Sequence, residues 1–471
     1  MSDTECPKRR FTLGRLVLWG LGGLVVLGVG LYGLDDMRTA RRIKTTVADL
    51  DDTDPGWRLE EIEAARITIA DKDNSAILCV ELARALGKWP DHKFDEKMTD
   101  ILLPERLDDE RMKLLDAEMT RLGPIRLAAR RLADMPLGRH KIEYAFNPLA
   151  TLLPDVQETR KAASLFRYEM LYQSNKGNVS EAVRAGRACV CAGRSFYDDP
   201  NLISQLVRIA IIAIGLNGVE RALSLGESNE AELVALDKLL ADEEKHNSLL
   251  VALRGERASS YQLFSRLGSG AIPSNNFRAE MGMTEEPLFE RMFITPRWQM
   301  RRQQPVMMDM MNRLVENARL PSHEQASGES EIDREIKGKR VSAPLIGMLI
   351  PATNKVAEAC RRKTGTVAAM RGLIAVERFR MKYGKWPAKL SEVVPEFLDS
   401  LPTDPFDGTP IKMVRTSDGI IVYTVGNDKV DDGGKLNRKN PNAAGSDLGF
   451  QLWDKAKRRQ PASSPKPEEG P

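Results

Sequence analysis

The sequence predicts a mainly α chain built in three parts: an N-terminal transmembrane helix, an all-α helical-hairpin region and a small α+β C-terminal domain. Three observations carry this reading. Residues 16–34 are an uncharged, apolar, glycine-rich run. Residues 37–320 show helical patterns broken by Gly and Pro and almost nothing of period two. Residues 411–452 hold short β-branched runs separated by turn dipeptides.

The first element is the apolar run. Nineteen helical residues span about 28 Å at ~1.5 Å per residue, close to the hydrocarbon thickness of a bilayer. The run is long for a signal peptide and no Ala-x-Ala site follows it, so an uncleaved anchor is expected, with a cleaved signal as the alternative. Basic residues flank it on both sides, Lys8, Arg9, Arg10 and Arg15 before and Arg38, Arg41, Arg42 and Lys44 after. That count barely decides orientation. The expectation is a single-pass protein of a bacterial inner membrane, with residues 1–15 cytoplasmic and the bulk extracytoplasmic. Phe11-Thr12-Leu13 is similar to the opening of a prepilin leader. Arg10 and Arg15 stand where that leader needs glycine and glutamate, so no filament subunit is predicted.

The helical region, 37–320, follows. Amphipathic patterns cover 59–67, 75–86, 108–121, 125–133, 155–173, 178–195, 200–223, 229–240 and 242–267. The pair 155–173 and 178–195, joined by Asn175-Lys176-Gly177-Asn178, reads as one αα-hairpin; no fixed repeat period is sustained. Residues 206–216 are apolar around Arg208 and too short to span a bilayer, so they read as a buried central helix. Glu243-x-x-His246 has the spacing of a di-iron bundle motif, but no second copy exists, and a surface helix is the expectation. Cys189 and Cys191, two apart in a helix, face different ways and cannot jointly hold zinc; Cys79 and Cys360 are isolated. Buried free thiols are expected, with one disulfide as the alternative. Residues 321–340 read as a poorly ordered linker.

The C-terminal part, 341–455, opens with an apolar stretch and a helix at 366–383. Val367, Met370, Leu373 and Ile374 line one face and Val376 and Phe379 another, leaving only a strip of Arg371, Arg378 and Lys382, so the helix wants cover on two sides. Gly384 ends it. Asp404-Pro405 and Asp407-Gly408 are turn dipeptides. Residues 411–415 and 420–425 flank Ser417-Asp418-Gly419 as a hairpin, and 448–452 can complete a sheet. Residues 456–471, rich in Pro, Ser, Lys and Glu, read as a disordered tail.

In order, the helix, Tyr383-Gly-Lys-Trp-Pro387, Asp404-Pro-Phe-Asp-Gly408, the hairpin, Val425-Gly-Asn-Asp428, Asp431-Asp-Gly-Gly434 and Asp447 resemble the C-terminal domain of type II secretion major pseudopilins. The resemblance covers about 366–453; the rest resembles bacterial single-pass membrane proteins. It implies a helix on a small antiparallel sheet and a loop that binds calcium. Asp428 and Asp447 match that loop's acidic positions, and Asp431 and Asp432 lie between them. A glycine-rich loop can fold hard oxygen ligands around such an ion. A solvated turn with no ion is the alternative.

Length and composition bound the function. The 471 residues allow about three domains, and 42% hydrophobic content is enough for sizeable cores. A net charge of +3, with no basic stripe interleaved with aromatics, argues against nucleic acid. Four histidines argue against a multi-histidine metal site. No phosphate loop, nucleophile elbow or His-Glu-x-x-His is present. The expectation is a membrane-anchored scaffold with protein partners. A secretion or pilus-assembly accessory is one alternative and a hydrolase hidden in the helical region another.

Overall fold

The computed structural model of the chain describes residues 13–273, 277, 297–339 and 344–463. It divides into two compact units: Met1–Trp57 with Ser260–Met310, and Arg58–Ser259 with Met311–Pro471. The expected cytoplasmic segment, with Cys6 and Phe11, falls almost wholly outside the described residues.

In the first unit, Leu13–Thr53 form one uninterrupted helix, α1, of 41 residues. Its first half is apolar on every side and exposed: Leu18 is 70%, Trp19 78% and Val26 73% accessible. By length and composition this helix can cross a membrane. Its second half is clasped. Leu50, Trp57 and Met308 form a small core with Tyr261, whose ring meets Trp57 edge-on at 5.0 Å. Asp35 and Asp36 pair with Arg302 and Arg301, each at 3.0 Å.

The second unit begins with short helices α2 (Leu59–Ala65), α3 (Ser75–Leu86), α4 (His92–Lys97), α5 (Asp109–Arg121) and α6 (Gly123–Ala129). Asn74, Asp91 and Asp108 cap α3, α4 and α5 through their side chains. The long helices α7 (Pro154–Lys176), α8 (Val179–Arg194) and α9 (Leu202–Leu225) pack on one another. Gly177, at φ 88°, makes the left-handed turn between α7 and α8, so the expected αα-hairpin is present. The helix α9 is also long and apolar enough to span a bilayer. Here it is a core helix, with Ile211, Ile212, Leu216 and Val219 at 1% exposure or less.

The helices α10 (Glu230–Lys245) and α11 (Ser248–Ser269) follow, then α12 (Arg297–Arg319), α13 (Gln325–Lys339) and α14 (Pro344–Tyr383). The sheet is antiparallel, in the order β1 (Lys412–Arg415), β2 (Gly419–Thr424), β3 (Leu448–Trp453). The hairpin and the third strand fall where the sequence placed them. Helix α14 lies between α9 and α10 on one side and β2 and β3 on the other. Its two apolar faces are thus both covered, and Val367, Met370, Leu373, Ile374 and Val376 are fully buried. Small residues set the approach to the sheet: a Cβ on Gly372 would lie 2.6 Å from Ile411 Cδ1 and 2.9 Å from Val422 Cγ1.

Three expectations are corrected. Residues 325–339 are not an unstructured linker. Gln325, Glu329, Ile332 and Ile336 repeat at helical spacing and bury one face, with Glu329 paired to Arg361. That stripe holds only two aliphatic residues, which is why the segment reads as polar. Residues 37–320 and 341–455 do not form separate cores, because one apolar cluster runs from Val179 on α8 through α9, α10 and α14 to Leu452 on β3. The tail is bound as far as 463. Arg458 pairs with buried Glu377 at 2.8 Å, Arg459 donates to the carbonyls of Ser174 and Asn175, and Ser463 bonds Glu105. Residues 464–471 lie outside the described residues. The four described cysteines, Cys79, Cys189, Cys191 and Cys360, are free and buried.

Candidate functional site

The acidic loop leads from β2 back to β3. Asp404, fully buried, accepts the Phe406 amide at 2.9 Å and the Val425 amide at 2.8 Å, tying the Asp-Pro turn to the end of β2. Asp428 accepts from the amides of Val430 (3.1 Å) and Gly445 (2.7 Å) and so braces the loop's own ends. Those amides hold its carboxyl below the usual range. Asp447 accepts from Asp432 and Gly434, at 3.3 and 2.7 Å. Asp431 accepts from the Tyr423 hydroxyl at 2.9 Å and the Gly433 amide at 3.1 Å.

Burial raises the Asp447 carboxyl, and the nearby charges of Asp431 and Asp432 push it the same way. The structure therefore brings Asp431, Asp432 and Asp447 into one neighbourhood and gives Asp428 a separate backbone role. Oδ2 of Asp432 is buried without a hydrogen-bond partner. Among the described residues no three His, Cys, Asp or Glu side chains are grouped so as to hold a metal ion.

A second constellation lies at the C-terminal end of α10. Glu243 and His246 are not on a surface helix. Glu243 is completely buried, and three cations converge on it: Arg208 at 2.5 Å, Lys363 at 3.0 Å and Arg194 at 3.2 Å. Burial alone would raise the Glu243 carboxyl, but Arg208 and Lys363 hold it well below the usual range. Arg208 also lies against the His246 ring, its Nη1 2.8 Å from Nδ1 and 3.3 Å from Nε2. Burial, with Arg208 next, pushes His246 down to about 2, so the imidazole is neutral across the physiological range. Tyr197 offers its ring to Arg194 and Arg208, each at 5.2 Å.

Beside this cluster is a cavity of ≈ 180 Å³. Its lining includes Lys245, His246, Ser248, Ser322, Arg361 and Lys363. The i, i+3 spacing of Glu243 and His246 was visible in the sequence. The cationic partners of Glu243, 35, 49 and 120 residues away, carried no local signal.

A third arrangement escaped sequence reasoning altogether. Asp155 Oδ2 lies 3.1 Å from His140 Nδ1, and His140 Nε2 lies 2.9 Å from Ser195 Oγ. The order of groups is that of a nucleophilic triad. Access and proton placement are not. Ser195 is completely buried, its hydroxyl donates to the Ala192 carbonyl at 2.7 Å, and Gly138 packs so closely that a Cβ there would lie 3.0 Å from Ser195 Cα. A nucleophile needs room for the reacting carbonyl. The three residues act as a tie between the 140 loop, α7 and the end of α8.

Compared with protein-family models, curated proteins and solved structures, the chain shows no significant match.

Proposed function

We propose that the protein is a membrane-anchored extracytoplasmic scaffold that binds protein partners, with a pseudopilin-like C-terminal module. The observation that carries the anchor is the first half of α1, where large apolar side chains such as Leu18, Trp19 and Val26 stand exposed on a membrane-length helix. A hydrocarbon medium covers such a surface and water does not. The scaffold reading is supported by the buried acids Glu243, Glu329 and Glu377, each held in an ion pair with arginine. The packing of α14 on a three-stranded antiparallel sheet supports the pseudopilin resemblance of 366–453.

Two measurements test this. The full chain should stay with membranes through alkaline carbonate extraction, and alkaline phosphatase fused after Pro471 should be active. An active cytosolic reporter at the same position would overturn the orientation. Affinity capture from detergent extracts then separates the alternatives: specific recovery of proteins carrying pseudopilin domains would make this chain an accessory of a secretion or pilus-like assembly.

A second reading concerns calcium. The unpartnered Oδ2 of Asp432 and the crowding of Asp431 and Asp432 on Asp447 favour a cation at this loop. Asp432 would supply a hard oxygen ligand beside backbone carbonyls and water, and the ion would offset the repulsion among Asp431, Asp432 and Asp447. Calcium at millimolar concentration should raise the thermal midpoint of the wild-type chain over that in chelator, and Asp432→Asn should remove the rise. An unchanged midpoint in the wild type sinks the reading.

A further inference from the structure

We propose that the cavity beside Glu243 binds a small oxyanion, a phosphate or a carboxylate, which completes the charge balance of the cluster beneath it. Three buried cations, Arg194, Arg208 and Lys363, share one carboxylate, and Glu243 is the only carboxylate among the described residues that pairs with any of them. A buried charge surplus is costly unless a counter-charge answers it. Carbonyls of Pro136 and Tyr197 and the Tyr197 ring soften the surplus but bring no negative charge.

The cavity is placed to receive that charge. Lys363, one of the three cations, lines it. Its ≈ 180 Å³ is many times the space one water needs, so it admits an anion of a few heavy atoms. The lining also supplies donors. Lys245 has no ion-pair partner among the described residues, and the Ser322 hydroxyl is uncommitted there. Three nearby acids are engaged elsewhere: Glu244, on the lining, is bonded by Arg371, Glu329 is bonded by Arg361 at 2.8 Å, and Glu324 lies 3.5 Å from His323.

The test follows thermal unfolding of the full chain in detergent, by tryptophan fluorescence. Inorganic phosphate, malonate and chloride are titrated at matched ionic strength. Phosphate or malonate at concentrations well above its dissociation constant should raise the midpoint by about 2–4 °C over chloride. A response to phosphate alone identifies a phosphate site, to malonate alone a carboxylate site, and to both a general oxyanion site. Lys363→Met would remove a lining cation but also breaks a buried pair, so Ser322→Glu is the decisive variant. It puts a carboxylate at the half-buried rim, and should raise the midpoint without added anion and abolish the response to phosphate and malonate. The proposal is overturned if neither anion exceeds chloride in the wild type, or if Ser322→Glu responds as the wild type does.

Discussion

Glu243 carries an unusual share of the load for one side chain, since three cations lose their only carboxylate partner among the described residues if it is neutralised. Breaking a buried pair by removing one member costs about 3–5 kcal/mol. Glu243→Gln should destabilise by that order, read as a fall in the urea midpoint. The pH dependence has a defined sign. The folded carboxyl of Glu243 lies below its ordinary value near 4.5, so the unfolded chain binds the proton first. Its stabilising contribution is complete above that value and is lost as pH falls below it. The wild-type midpoint should therefore decline below about pH 4.5, and the decline should be shallower in Glu243→Gln. At this scale the sequence was only half legible. The acidic residues of the 428–447 loop stood out because turn residues and carboxylates are adjacent in the chain. Arg208 stood out as one charge in an apolar run, but nothing local linked it to Glu243 or Lys363, because pairing across 35 and 120 residues is decided by packing.

At the scale of elements, α14 shows what periodicity captures and what it misses. Its apolar circumference announced a helix covered on two sides, and the structure places it between α9 and α10 and the sheet. Its start went unread, because the apolar stretch was separated from a helix at 366–383 whereas one helix runs from Pro344 to Tyr383. The charged strip is also committed. Arg371 bonds Asp237 and Glu244, Arg378 bonds Glu230, and Lys382 bonds Glu396. Gly372 is the position with least room on the sheet side. Gly372→Leu should force Ile411 and Val422 apart and cost about 1–3 kcal/mol, whereas Gly384→Asn, at the helix end where a Cβ meets nothing, should change the midpoint far less. Equal effects at the two sites would refute the close-approach argument.

For the molecule as a whole, the sequence suggested beads on a string, and the second unit instead joins early and late segments in one core. Composition marks a boundary where polarity rises, but a polar helix such as α13 can still be part of a fold if one face buries. The last described residues illustrate the same point. Arg458 reaches Glu377 and the Gly226 carbonyl, and Arg459 reaches the end of α7. Arg458→Ala leaves Glu377 with Arg380 alone, and the loss of a buried partner should cost about 3–5 kcal/mol. Limited proteolysis should then cut within 454–463 faster than in the wild type; unchanged cleavage would mean that the segment is held by other contacts.

One consequence follows from the continuity of α1. Forty-one residues make a rod of about 60 Å, and a rod transmits rotation as well as distance. Whatever grips residues 17–34 is geared to the Leu50, Trp57 and Met308 clasp through a fixed number of turns. Deleting one residue between them would swing the clasp by about 100° around the axis, while deleting seven would shorten the rod by about two turns and nearly restore its phase.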